Sequence, residues 1–191
     1  VGLVPNVGII VGTKATLIVD TGLGPRNGEA IAREVKKVSA NADVYIVLTH
    51  YHPEHSLGTS AIKGAKVLMT RVQQQDIAEL GKPIQDTFAS RSPLHAELLN
   101  GAPYPTADIL FDREHRLDLG GVHARLIWRG PAAMHTRGDT MVFVEEERVL
   151  FTYNPFPKDA DLPGPGPVFV HRGSCARFEG ARFPSEVLGL A

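Results

Sequence analysis

Apolar and polar positions alternate in short, ordered runs up to about residue 152 and lose that order afterwards. Residues 7–11 and 16–20 are β-branched, apolar runs separated by Gly12-Thr13-Lys14-Ala15, the pattern of a hairpin. The loop Asp20-Thr21-Gly22-Leu23-Gly24-Pro25 leads into residues 26–39, where Ile31, Val35 and Val38 recur at helical spacing. Arg33, Glu34, Lys36 and Lys37 occupy the opposite face. Residues 44–48 are uninterruptedly apolar and read as a buried strand. A helix to about Ile62 and a strand at 65–69 follow. Thr70 with Gln73 then reads as a capping box for a helix ending near Gly81. The helical pattern resumes over 83–100, interrupted at Pro93, and 101–108 is loop. Beyond it the pattern turns to strands, at 109–111, 115–119, 122–128, 140–144 and 149–152.

Strands, then helices, then more strands, with no internal repeat, predict an α/β fold of two sheets with helices packed outside them. The length of 191 residues suits a single domain with a substantial core. Residues 155–191 form an atypical, loop-rich tail dominated by Pro and Gly at its start.

A formal charge of −1 gives no electrostatic case for nucleic acid or an anionic membrane, so the expected partner is a small-molecule substrate. No apolar run approaches the roughly 18 residues that span a bilayer, and no signal-peptide order opens the chain. A processed periplasmic form would lack such a segment too, which leaves the compartment open. Cys175 is the only cysteine, so any metal must be held by His and carboxylate.

That requirement meets its residues directly after the 44–48 strand, in Thr49-His50-Tyr51-His52-Pro53-Glu54-His55. Residues two apart on an extended strand end share a face, so His50 and His52 can aim at one point. Pro53 suits a first helical turn, from which Glu54 and His55 would project beside that pair. Imidazoles and a carboxylate converging at a strand-to-helix junction describe a transition-metal site. A second signal, His135-Thr136-Arg137-Gly138-Asp139-Thr140, sits on a loop between two predicted strands, where a further ligand could join the first cluster.

In this order, Val19-Asp20-Thr21-Gly22, the 49–55 motif with Leu57-Gly58, His135–Thr140 and Val149-Leu150-Phe151-Thr152 resemble the metallo-β-lactamase superfamily over about residues 5–155. Phe88-Ala89-Ser90-Arg91-Ser92-Pro93-Leu94-His95 and residues 111–118 are similar to its quinoprotein-relay-like branch. The resemblance implies an αββα sandwich and a zinc-dependent hydrolase. His50, His52 and His135 match a first metal site, where a zinc-bound hydroxide would attack a β-lactam, lactone, thioester or other ester. Glu54 and His55 match half of a second metal site, with Glu54 also the group to orient water or move its proton. Asp20 matches an aspartate supporting the site from behind, or else forms the strand-end turn.

The chain also departs from the pattern. Glu54 stands where the family has Asp, Tyr153-Asn154 stand in place of Gly-Asp, and Pro165 falls where the last histidine would lie. Ala133 and Met134 look inserted ahead of His135. One firmly bound zinc is therefore expected, with a second weak or absent. The alternative is a metal-binding domain impaired in catalysis. Residues 168–173 resemble a missing N-terminal strand moved to the tail. Pairing with the first sheet would make a permuted fold, or a homo-oligomer through the tail. His171 and Cys175 are weaker ligand candidates. His95, His115 and His123 read as ordinary helix or strand residues, and Trp128 as core.

Overall fold

A computed structural model describes residues 5–130, 135–152, 168–171 and 174–175, the last two segments as strands only. In the first sheet, β1 (Gly8–Val11) and β2 (Ala15–Val19) make the predicted hairpin. Strands β3 (Asp43–Val47), β4 (Lys66–Thr70) and β5 (Ile109–Phe111) then add in order, each parallel to its neighbour. In the second, β6 (Glu114–Asp118), β7 (His123–Ile127), β8 (Met141–Val144) and β9 (Val149–Phe151) form an antiparallel meander. It is extended by β10 (Val168–His171), parallel to β9, and β11 (Ser174–Cys175).

The alternation of β2 explains the layering. Leu17 and Val19 join the core shared by the two sheets, with Val47, Leu68, Ala124, Leu126, Val142 and Phe151. Ile18, between them, points the other way, into a second core with Ile9, Ile46 and Met69. Helix α1 (Pro25–Val38) covers that outer face with Ile31 and Val35. The result is the two-sheet sandwich with helices that the resemblance implied.

Three local expectations need correction. Helix α3 (Arg71–Ala89) does not end near Gly81 but passes through both Gly81 and Pro83. Packing overrides the breakers: Gln73 and Asp76 are buried before them and Phe88 after them. The Tyr104 ring lies so near that a Cβ on Gly81 would meet it at 3.0 Å. The capping box at its start is half formed. Thr70 accepts from Gln73 N–H at 2.9 Å, but the Gln73 amide reaches the carbonyl of Leu48 instead of returning to residue 70. The helix after the histidine turn is only α2 (Pro53–Ser56), followed by a separate 3₁₀ turn, Thr59–Ala61. As expected, the helical pattern breaks ahead of Pro93, and helix α4 (Pro93–Leu99) starts at that proline, capped by Ser92.

The tail is a fourth correction. Residues 168–171 pair with β9 of the second sheet and not with the N-terminal sheet, so the strand moved to the first sheet is not found. Parallel partners need a crossover of about a dozen residues or more, and residues 152–167 supply that length. Tyr153, Asn154, Pro165, Ala133 and Met134 lie outside the described residues.

Gly58 lets the turn after α2 pack against its neighbours. Its backbone is pressed between Thr21 and α1: a Cβ there would lie 1.9 Å from the Thr21 carbonyl oxygen, and one on Gly28 1.9 Å from that of Gly58. The backbone of Gly58 is ordinary αR, so the constraint is steric alone. Gly58→Ala is expected to cost about 2–4 kcal/mol by overpacking two backbones. Thermal melting checks this, and an unchanged Tm would contradict the contact.

Candidate metal centre

Parallel strands β2, β3 and β4 deliver their C-terminal ends to one edge, the usual place for a site in an open α/β sheet. Asp20 follows β2, the histidine turn follows β3, and Thr70 ends β4. Asp20 has φ 64°, a left-handed conformation that Asp tolerates better than most residues. This turns its buried carboxylate onto the next strand end. There it accepts from the Thr49 N–H at 2.7 Å, the Thr49 hydroxyl at 2.8 Å and His55 Nδ1 at 2.7 Å. One conformation thus makes Asp20 both the strand-end turn and the acceptor for Thr49 and His55.

The turn itself is stitched by short-range bonds. The Ser56 hydroxyl lies 2.9 Å from the carbonyls of Tyr51 and His52, and Thr21 donates from its N–H and hydroxyl to the carbonyl of His55. His50 is fully buried, and its ring centroid lies 4.7 Å from that of His52, 4.1 Å from His55 and 5.2 Å from His135.

His135 arrives from the other sheet, on the connection between β7 and β8. Asp139 closes its loop, accepting from the N–H of His135 at 2.7 Å and of Thr136 at 3.0 Å, and from the Thr136 hydroxyl. Burial pushes the Asp139 carboxyl up from the ordinary range, and these hydrogen bonds pull it back. The Thr140 N–H donates to the Thr49 carbonyl at 2.7 Å, tying the loop to the histidine turn.

Ligand nitrogens of His50, His52 and His135 come within 4.8 Å of one another, a group that could hold a metal ion. His135 Nε2 and His52 Nδ1 are 3.2 Å apart. Two nitrogens on one tetrahedral ion, each at about 2.0–2.1 Å, would stand roughly 3.3–3.4 Å apart. That pair is therefore spaced for one ion, and a His50 nitrogen lies within 4.8 Å of both, so the three residues fit a metal.

Sequence comparison matches residues 1–152 to the metallo-β-lactamase superfamily. The chain belongs to that superfamily. No curated protein matches. Among solved structures, a metallo-β-lactamase from Pontibacter korlensis is 19% identical with TM-score 0.57, covering 75% of this chain and 56% of its own. The FEZ-1 metallo-β-lactamase from Legionella gormanii is 21% identical with TM-score 0.53, over 71% and 50%. The stereoselective inverting sec-alkylsulfatase Pisa1 from Pseudomonas sp. is 16% identical with TM-score 0.62, over 80% and 29%. At these identities the likeness is one of fold, and the chain spans about half the length of the first two. The superfamily is largely one of metal-dependent hydrolases, with some non-catalytic members.

Against the superfamily pattern, Glu54 and His55 are both buried in α2 beside the three histidines but outside the group they form. His171 is described only as part of β10. His95 is engaged at the start of α4, its Nδ1 2.8 Å from the Ser92 hydroxyl. His123, Glu145 and Glu146 make a second close group at the opposite strand ends. There His123 is bonded to Glu146 at 2.6 Å and Glu145 is neutralised by Arg116 at 2.7 Å. No described helix is long and apolar enough to cross a membrane.

Trp128 is not core. It is half-exposed, and its indole N–H donates to the carbonyl of Arg137 at 2.8 Å. Its role as a brace of the His135 loop was not visible in the sequence, because an aromatic ending a strand looks the same in either case. Thr49 and Asp139 were also missed.

Proposed function

We propose that the chain is a zinc-dependent hydrolase acting on a carbonyl-type or similar electrophile. The convergence of His50, His52 and His135, from two sheets, on one point carries this reading. Three neutral imidazoles suit zinc and leave it an open position. Zinc bound there would supply a Lewis acid and an activated water near neutral pH. His50, at the buried floor, and His52, half-buried, would hold the ion from the interior, and His135 would hold it from the exposed side. Glu54, on the first turn of α2, is the residue placed to orient water or carry its proton. With His55 it offers only half of a second site, so one zinc is held firmly and a second weakly or not at all.

The test is zinc stoichiometry per chain together with hydrolysis of a chromogenic β-lactam, an aryl ester, a lactone and a secondary alkyl sulfate. The panel includes the substrates named by the structural relatives. One zinc equivalent, and turnover of at least one substrate that a chelator abolishes, is the expected result. Zinc bound without turnover of any panel member would favour the catalytically impaired reading. A chain without stoichiometric metal would overturn both.

A further inference from the structure

Of the three histidines proposed to hold zinc, His135 is the exposed one, and it stands on the loop between β7 and β8, away from the buried histidine turn. Something must hold that loop against the deeper pair, and the contacts run to helix α3. The loop's Gly138 passes so close to the first turn of α3 that a Cβ on it would meet Gln73 Cα and N at 2.5 Å. The Thr70 hydroxyl, which caps that helix, donates to the Gly138 carbonyl at 3.2 Å. One turn further along, Asp76 is 1% exposed, and its Oδ1 accepts from Arg137 Nε at 2.5 Å. The same guanidinium reaches Glu79 at 2.5 Å, and the Arg137 carbonyl is held by Trp128.

The two ion pairs are not equivalent. Glu79 is exposed, so its pair with Arg137 is screened by water and contributes little. Asp76 is buried. Among the described residues Arg137 is its only cationic partner, bonded at Oδ1, and Oδ2 accepts no hydrogen bond. A buried carboxylate needs that partner, because an uncompensated charge in the interior is costly.

We propose, on the reading that the three histidines hold zinc, that Arg137 is a positioning residue that sets zinc affinity by latching the His135 loop to Asp76. Helix α3 thereby braces two of the three histidines, since its Phe88 ring also lies 5.9 Å from the His52 ring. A loop latched in this way has less conformational freedom to lose when zinc binds, which is how the latch would raise affinity. Arg suits this better than Lys, because its planar fork reaches both carboxylates at once.

The experiment is a zinc titration against a competing chromophoric chelator, with the zinc-free Tm measured on the same samples. Arg137→Ala and Asp76→Asn are each expected to weaken zinc about 10–100-fold, the usual effect of losing a group that orients a ligand. His135→Ala sets the floor. Arg137→Lys keeps the charge without the fork and should recover part of the affinity. The Arg137→Ala/Asp76→Asn double variant should be no weaker than either single one, because both break one latch. A purely structural role predicts a lower zinc-free Tm with unchanged zinc affinity across the folded variants, Arg137→Lys and Asp76→Asn included, and that result overturns the proposal. If His135→Ala itself leaves zinc affinity unchanged, the three-histidine reading is what fails.

Discussion

Replacing His50 by alanine is expected to abolish tight zinc binding and to lower kcat/KM by about a thousandfold or more. A thousandfold corresponds to about 4 kcal/mol of lost transition-state stabilisation. The reason is position. His50 is the fully buried member of the three, and its ring is near those of His52, His55 and His135 at once. His52 and His135, half-buried and exposed, can be rearranged or replaced by water with less penalty. Alanine at 50 also leaves a cavity under the strand ends, for which the neighbours relax only partly. The check is zinc content and chelator competition beside steady-state kinetics on whichever panel substrate turns over. His95→Ala, which alters only the start of α4, serves as the control that keeps zinc and kcat/KM. Undiminished zinc affinity in His50→Ala would remove the basis for the proposed function.

What was legible in the sequence was local. The order of strands and helices predicted two sheets with helices outside them, and a core between the sheets and another under α1 both exist. The histidine turn was readable because its members are adjacent in the chain, and the His135 loop because its polar residues interrupt an apolar run. Gly81 and Pro83 misled because breakers express a local preference, whereas burial on both sides decides whether α3 continues. The tail misled for a related reason. An apolar run such as 168–170 signals a strand but not its partner, and parallel partners are chosen across a long connection. The bond between Arg137 and Asp76 spans 61 positions and joins two common residue types, so nothing in the pattern marks it. The candidate ligands and Asp20 behind them were thus visible, while Arg137, Asp76 and Trp128, which hold the His135 loop, were not.

Asp20 tests the supporting residues most severely. Its carboxylate is buried and serves Thr49 twice and His55 once. Asp20→Ala would strand the Thr49 N–H without an acceptor and place a Cβ-bearing residue of poorer left-handed tolerance at φ 64°. Together these should cost about 3–5 kcal/mol, or roughly 10 °C in Tm for a chain of this size. Asp20→Asn separates chemistry from stability. Its amide oxygen can still accept from the Thr49 N–H, and Asn tolerates the same backbone, so the fold should survive with a smaller loss. The His55 contact, however, reverses. A carboxylate accepts the proton of His55 Nδ1 and leaves Nε2 carrying the lone pair, whereas an amide NH2 donates to Nδ1 and drives the proton to Nε2. A protonated Nε2 cannot bind a cation, so any weak second zinc should be lost while the site of His50, His52 and His135 stays within about threefold of its affinity, the loss falling where the orienting partner was changed. Nitrogen NMR of the imidazoles reads the tautomer directly, and titration reads the two affinities. The same His55 tautomer in both chains would show that Asp20 braces the fold without orienting the ring.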